Sequence, residues 1–120
     1  SAIRSVHLRT RQVTTLVGQC AWRFGNIEGS RSDALLQQPQ AVALDGSSPV
    51  LWVADSGNDQ LRTLRLGGGE VGTISLPQRL HAPAGLAVVN GIVWIADTDA
   101  HAVLRFDPAE GSLRQIPIGE

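Results

Sequence analysis

Three aspartates stand at positions where a protein could gather carboxylates for chemistry. Asp55 and Asp97 each end a copy of the same short hydrophobic motif, and Asp45 follows another predicted strand. Converging carboxylates can hold a divalent cation such as Ca²⁺. However, Val89 takes the place of Asp45 in the second copy, so the sequence predicts no ring of acids. We expect Asp55 and Asp97 to accept backbone N–H groups and to fix the turn that follows each of them.

Three histidines are the other candidates for metal binding. A catalytic zinc site often has three protein ligands and one open position, and His7, His81 and His101 supply that number. They fall in different predicted elements, at different distances from any common centre. We therefore expect no metal and no cofactor.

A cluster of chemically distinctive residues occupies one long predicted loop. Cys20 is the lone cysteine, so an internal disulfide is excluded, and no Cys-x-x-Cys pair indicates a redox site. Tryptophan and arginine are frequent in binding hot spots. The loop therefore predicts a contact patch made of Trp22, Arg23, Phe24 and Arg31. The alternative is that Trp22 and Phe24 only plug the side of the neighbouring sheet.

The elements that position these residues come from an internal repeat. The segment LWVADS returns as VWIADT, which moves Trp52 to Trp94, an offset of 42 residues. Each copy is surrounded by four short strand patterns separated by turn residues. Four antiparallel strands in about 40 residues are typical of a β-propeller blade. We expect both tryptophans to lie in the core between blades.

The chain then divides into one partial and two whole units. The predicted limits are a half blade at 1–17, a long connecting loop at 18–38, and whole blades at 39–76 and 77–120. Within the whole blades, the first strands are predicted at 41–44 and 86–89, and the fourth at 70–76 and 112–118. The fold class is therefore all-β, a partial β-propeller of about two and a half four-stranded antiparallel blades.

The local motifs resemble NHL repeats. One copy comprises PQAVALD at 39–45, WVAD at 52–55 and GNDQLR at 57–62, and the next comprises PAGLAVV at 83–89 and WIAD at 94–97. The long loop is similar to a connector found in NHL propellers attached to thioredoxin-like domains. His101 matches the turn histidine common in NHL repeats, and the resemblance implies a structural role for it in that turn. The resemblance implies a propeller that serves as a scaffold, an RNA-binding surface or, in a few members, an enzyme with a cation in its central channel. If the chain is part of such an enzyme, Asp45 and His81 are the nearest candidates for binding the cation.

Composition limits the choice among these functions. The apolar share of 42% is ordinary for a globular protein, and the net charge of −1 gives no broad attraction to nucleic acid. All basic residues are arginines, and those on predicted third strands (Arg4, Arg62, Arg65 and Arg105) are the candidates for an RNA-binding rim. The interspersed acids make that reading less favoured.

The sequence therefore predicts a non-catalytic interaction or scaffold module. Its expected partner is another protein or another domain of its own chain, with self-association through open blade edges as a further possibility. No apolar run is long enough to span a membrane, and the absence of disulfides slightly favours the cytoplasm. The start, which lacks an initiator methionine and a signal-like pattern, predicts a processed or excised piece.

Overall fold

The computed structural model describes residues 1–18, 25–30 and 34–117, and within these ranges the chain forms three antiparallel sheets with no α-helix. The predicted all-β class and propeller-blade architecture are confirmed. The strands are β1 (Ala2–Val6), β2 (Val13–Gly18), β3 (Ala41–Leu44), β4 (Val50–Asp55), β5 (Gln60–Arg65), β6 (Val71–Thr73), β7 (Pro83–Val89), β8 (Ile92–Asp97), β9 (Ala102–Asp107) and β10 (Ser112–Ile116).

The two four-stranded sheets repeat one another in strand order and in register. We call β1–β2 the first sheet, β3–β4–β5–β6 the middle blade and β7–β8–β9–β10 the last blade. In the middle blade Trp52 lies opposite Ala43 and Thr63. In the last blade Trp94 lies opposite Ala87 and Arg105. The repeated motif therefore occupies equivalent places in two equivalent sheets.

Two strand limits differ by three residues from those expected. The fourth strand of the middle blade, β6, ends at Thr73 rather than at 76, because the chain then leaves the sheet toward Pro77, which has no N–H to donate. The first strand of the last blade, β7, begins at Pro83 rather than at 86, with an irregular register between Pro83 and Gly85. A proline is tolerated there because it occupies the first position of the strand.

Apolar strands hold the units together from both sides of the middle blade. Its second strand, β4, is buried along nearly its whole length, as expected for a strand covered on both faces. One core joins the first sheet to the middle blade and includes Ile3, Val17 and Leu51. A second core joins the middle and last blades and includes Trp52 and Phe106. Since each core lies between sheets, the stability of each unit depends on its neighbour.

The two repeated tryptophans differ in burial. Trp52 is 7% exposed and packs edge-on against Phe106 of the last blade, with ring centroids 6.4 Å apart. Trp94 is only half-buried, and the adjacent Ala96 is exposed although its counterpart Ala54 is fully buried. The expectation that both tryptophans lie between blades therefore holds for Trp52 only. The reason is that no described residue covers the outer face of the last blade.

The edge strands β6 and β10, the fourth strands of the middle and last blades, differ in whether another segment covers them. The edge of β6 is covered by the long connector, because Gly29 forms an isolated bridge with Val71 and the Glu28 carboxylate accepts the Thr73 N–H at 2.8 Å. The last blade is preceded by a short connector. Among the described residues, β10 pairs with β9 alone. Covering an edge strand is a common protection against unwanted strand pairing.

The tryptophan pair gives a direct test of the packing. We expect Trp52→Ala to lower the free energy of unfolding by about 3–5 kcal/mol, because it empties a filled site between two blades. Trp94→Ala should cost less than about 2 kcal/mol, because its indole is already partly exposed. Chemical denaturation of the two variants measures the difference, and equal losses would contradict the assignment of Trp52 to the inter-blade core.

Candidate interaction surface

Asp55 holds the long connector against the middle blade. Its Oδ1 accepts the Gln37 backbone N–H at 2.8 Å, and its Oδ2 accepts from Asn58 Nδ2 at 2.8 Å and from Arg62 Nη1 at 3.1 Å. The same Arg62 nitrogen donates to the Leu35 carbonyl at 2.7 Å. Asp55 and Arg62 are both fully buried, so each compensates the charge of the other.

Asp97 repeats the essential part of this arrangement in the last blade. Its Oδ1 accepts the His81 backbone N–H at 2.6 Å, while His81 Nδ1 lies 3.6 Å from Oδ2. The sequence predicted that Asp55 and Asp97 would fix the turn that follows each strand. The backbone donors to these carboxylates are Gln37 and His81, each two positions before a proline at the start of the blade. Asp55 also accepts from the Asn58 side chain of the following turn, and the predicted turn role stays a prediction. Each carboxylate therefore joins the second strand to the incoming connector.

The polar network around Asp55 is the part that sequence reasoning missed. Asn58 also donates to the Gly25 carbonyl at 2.6 Å, so Asn58 and Arg62 both contact the long connector. The counterparts of these two residues in the last blade are Ala100 and Leu104. The sequence did contain a signal for this network. These two repeat positions are apolar in the last blade but polar in the middle blade, which is the blade that follows the long loop.

The turns after β4 and β8 have the same left-handed residue at their ends. Asp59 (φ 55°) and His101 (φ 51°) each close a 3₁₀ turn, Ser56–Asn58 and Thr98–Ala100, and donate their N–H to its first carbonyl at 3.1 Å. The predicted role of His101 in its turn stays a prediction, and this backbone geometry is consistent with it. Asp and His are among the residues that adopt this conformation more readily than most.

Asp59 additionally connects the middle blade to the last one. Its Oδ1 accepts the Ala82 N–H at 2.8 Å and its Oδ2 pairs with Arg79 at 2.9 Å. The Ala82 N–H bond and, second, the Arg79 bond hold the pKa of Asp59 below its ordinary value of 3.8. Asp59 and Arg79 line a cleft of about 520 Å³ beside Leu61 and Ile74. Because these two charges neutralise each other, the cleft carries no free charge from them.

Asp45 has a local role in the structure. Its Oδ1 accepts the backbone N–H of Ser47 at 3.0 Å and the Ser47 hydroxyl at 2.8 Å, within the hairpin between β3 and β4. These bonds, the backbone one first, lower the pKa of Asp45 from its ordinary value of 3.8. The carboxylate thus shapes its own turn.

The histidines lie in separate places. His7 Nδ1 accepts the Thr10 N–H at 3.2 Å in the exposed turn between β1 and β2, His81 lies beside Asp97, and His101 ends an exposed turn. Within residues 1–18, 25–30 and 34–117, no group of three or more His, Cys, Asp or Glu side chains is placed to hold a metal ion.

The contact patch predicted in the long loop lies outside the described residues. This applies to Trp22, Arg23, Phe24 and Arg31, and also to Cys20. Their contribution to binding stays a prediction.

The proposed arginine rim is corrected at one position. Arg62 is fully buried against Asp55 and is not part of any surface. Arg4 and Arg65 are exposed and Arg105 is half-buried. The prediction was wrong for Arg62 because its side chain points inward, where it contacts Asp55 and the long connector.

The last blade presents the most distinctive uncovered surface. We call it the open face and define it by two cross-strand rows, Gly85–Ala96–Val103–Ile116 and Ala87–Trp94–Arg105–Arg114. Its apolar part forms a shallow concavity around Trp94. The same face of the middle blade is covered by the last blade. The open face is therefore a blade-to-blade contact surface without a blade on it among the described residues.

No helix in the described part of the chain is long and apolar enough to cross a membrane.

The buried ion pair predicts an uneven response to arginine substitution. Arg62→Leu should lower the free energy of unfolding by about 3–5 kcal/mol, because it leaves the Asp55 carboxylate buried without a counter-charge. The matched control Arg65→Leu, at an exposed position of the same strand, should change it by no more than about 0.5 kcal/mol. Adding Asp55→Asn to Arg62→Leu should recover part of the loss. Denaturation midpoints that are equal for the two single variants would contradict the pairing.

Asp59 predicts a defined acid sensitivity. Its folded pKa is lower than its unfolded pKa, so its contribution to stability is fully present above about pH 4 and is lost as the pH falls through the folded value. Arg79→Gln should raise the pKa of Asp59 but leave it below 3.8, because the Ala82 N–H is the larger cause. Carboxyl-carbon NMR titration measures this, with Asp59→Asn identifying the resonance. A return to 3.8 in Arg79→Gln would show that the ion pair, not the backbone bond, is dominant.

Comparison with protein-family models finds one match, to the NHL repeat, over residues 80–106. That range includes the short connector, β7, β8 and most of β9. It therefore covers the Asp97–His81 contact and the Trp94 motif of the last blade.

Curated relatives match nearly the whole chain. NHL repeat-containing protein 2 of Gallus gallus is 29% identical over 138 residues, and its Homo sapiens counterpart is 28% identical. Each match covers 98% of this chain but only 19% of the relative. The chain thus spans about a fifth of the length of these curated relatives.

Solved structures share the fold at low sequence identity. A chain in the crystal structure of a nidogen–laminin complex matches with a TM-score of 0.68 and 14% identity, covering 97% of this chain and 37% of that one. An auxiliary nutrient binding protein from Bacteroides ovatus matches with a TM-score of 0.67 and 15% identity, covering 95% and 32%. These neighbours are propeller proteins. Together with the repeat register, the comparisons show that residues 80–106 match an NHL repeat and that the described chain has the fold of successive β-propeller blades.

Proposed function

We propose that this chain is a non-catalytic protein-interaction module, and that it binds through the open face of the last blade. The bound protein is another polypeptide or another region of the longer protein to which the chain belongs. The observation that carries the proposal is the half-exposed Trp94, at the repeat position where the middle blade buries Trp52 beneath a neighbouring sheet.

The distribution of buried charge supports a structural rather than a catalytic use of the acids. Asp55, Arg62 and Asp97 are the buried charged residues of the described ranges. All of them are engaged with connectors or with each other. Asp59, whose pKa is lowered and which lines a cleft, is likewise engaged by the Ala82 N–H and by Arg79.

The chemistry of the open face supports protein binding. Trp94 lies between small residues, Ala87 and Ala96, so its indole is accessible in a shallow concavity rather than hidden by larger side chains. Tryptophan is enriched in binding hot spots. Contiguous exposed apolar surface of this kind commonly marks an interaction site.

A photo-crosslinking experiment in the full natural protein tests this proposal. Benzoylphenylalanine at Ala87, which is exposed next to Trp94, should form adducts with protein when irradiated in cells. The same amino acid at Ala109, in the exposed turn between β9 and β10, is the matched control and should form few or none. Absence of protein adducts from position 87, with the variant folded, would refute binding through this face.

A further inference from the structure

The cleft of about 520 Å³ lies where the middle blade passes into the last blade. After β6 the chain leaves the sheet at Ile74, whose N–H still binds the Leu61 carbonyl at 2.9 Å, and continues as the short connector, residues 74–82. The cleft separates this connector from residues 58–61 of the preceding turn and β5. Both flanking blades belong to the described chain, so the walls of the cleft do not depend on any further blade.

The accessible apolar surface of the cleft comes from the short connector. Ile74 and Leu76 are half-buried and Pro77 is exposed, whereas Leu61 and Leu80 are fully buried in the core between the two blades. The volume falls within the range of about 300–1,000 Å³ that is usual for ligand sites. The cleft can therefore receive a bulky aliphatic side chain together with the backbone on either side of it.

The charges at the cleft are already paired. Both oxygens of Asp59 are engaged, one by the Ala82 N–H at 2.8 Å and the other by Arg79 at 2.9 Å. Among the described residues, no further acidic or basic side chain lines the cleft. A charged ligand would lose its hydration without gaining an unpaired counter-charge, so the cleft favours an uncharged one.

The backbone of the short connector is unpaired along the cleft. Within the described ranges, the N–H and C=O groups of residues 75–80 form no hydrogen bond with another residue. Leu80 is only 1% exposed, and an unpaired backbone group without access to water is costly. The long connector, by contrast, forms backbone hydrogen bonds at Gly25, Ile27 and Gly29. The short connector thus presents donors and acceptors with which a second extended backbone could pair.

From these observations we propose that the cleft binds an extended, uncharged segment of a partner protein. The segment pairs with the backbone of residues 75–80 and inserts one aliphatic side chain beside Ile74 and Leu76. In such strand addition, main-chain hydrogen bonds supply affinity and a pocket for a side chain supplies specificity. Pro77 has no N–H, so the pairing uses its carbonyl and the groups on either side of it. The site is separate from the open face and does not rest on binding there.

The probe for this test is a short fluorescein-labelled peptide of threonine and serine with one leucine at its centre. A matched peptide carries methyl groups on its backbone nitrogens, which removes the donors for strand pairing and keeps every side chain. Measured by fluorescence anisotropy on the full natural protein, the unmodified peptide should bind at least about ten-fold more tightly, as expected when about two backbone hydrogen bonds are lost. A peptide with serine in place of the leucine should also bind more weakly, because it lacks the apolar anchor.

Crosslinking and hydrogen exchange locate the bound peptide. Benzoylphenylalanine at Gln78, an exposed residue that lines the cleft, should form adducts with the probe. The same amino acid at Ala109, in the exposed turn between β9 and β10, should form few or none. Saturating probe should slow amide exchange in residues 75–80, and the N-methylated peptide should not.

A pair of leucine variants tests the anchor. Leu76→Ser should weaken binding of the probe, because Leu76 supplies apolar surface in the cleft. Leu8→Ser is the matched control, since Leu8 is 91% exposed in the hairpin between β1 and β2, and it should leave the affinity unchanged. Circular dichroism establishes that both variants are folded.

Four results would overturn the proposal. The first is failure of the full natural protein to bind the probe, including the case in which another part of that protein already fills the cleft. The second is equal affinity for the N-methylated peptide, which would exclude backbone pairing. The third is adducts as frequent from position 109 as from position 78, and the fourth is a dimer in sedimentation that the probe dissociates, which would assign the cleft to a second copy. Crosslinks from position 87 test the open face separately.

Discussion

The architecture depends on one hydrogen bond that each blade repeats, between a buried aspartate at the end of the second strand and a backbone N–H of the incoming connector. The donor–acceptor distance is 2.8 Å for Asp55 with Gln37 and 2.6 Å for Asp97 with His81. A bond to a charged acceptor is stronger than a neutral one. Because this bond fixes where the connector approaches the sheet, it determines where the first strand of the blade begins.

Burying a carboxylate is costly, so the rest of its environment has to compensate for it. In the middle blade the compensation is complete in charge, since Arg62 pairs with Asp55 and also binds the long connector. In the last blade the connector is short, Leu104 takes the place of Arg62, and His81 lies near the second carboxylate oxygen. The same hydrogen bond between aspartate and connector is therefore supported by different residues in the two blades, and the difference follows the length of the connector.

Stacking gives the two faces of a blade different roles. The middle blade is enclosed by a core on each side, and its outer edge is covered by residues 28–29 of the connector. The last blade has the same strand order, but its outer face displays Trp94 beside Arg105 and Arg114. The two blades therefore share one register and differ in what covers their equivalent faces among the described residues.

The fold class, the repeat and its register could be predicted from the sequence, because alternating apolar residues and turn residues are local signals that recur at a fixed offset. The sequence also placed Asp55 and Asp97 at equivalent positions. It did not show that Arg62 is buried while Arg65 is exposed, or that Trp52 is covered while Trp94 is not. Those differences arise from contacts between residues far apart in the chain. Arg62 is buried by the connector, and Trp52 is buried by the last blade. Only the tertiary structure decides them, because burial depends on what lies against a strand and the strand's own pattern is the same in both copies.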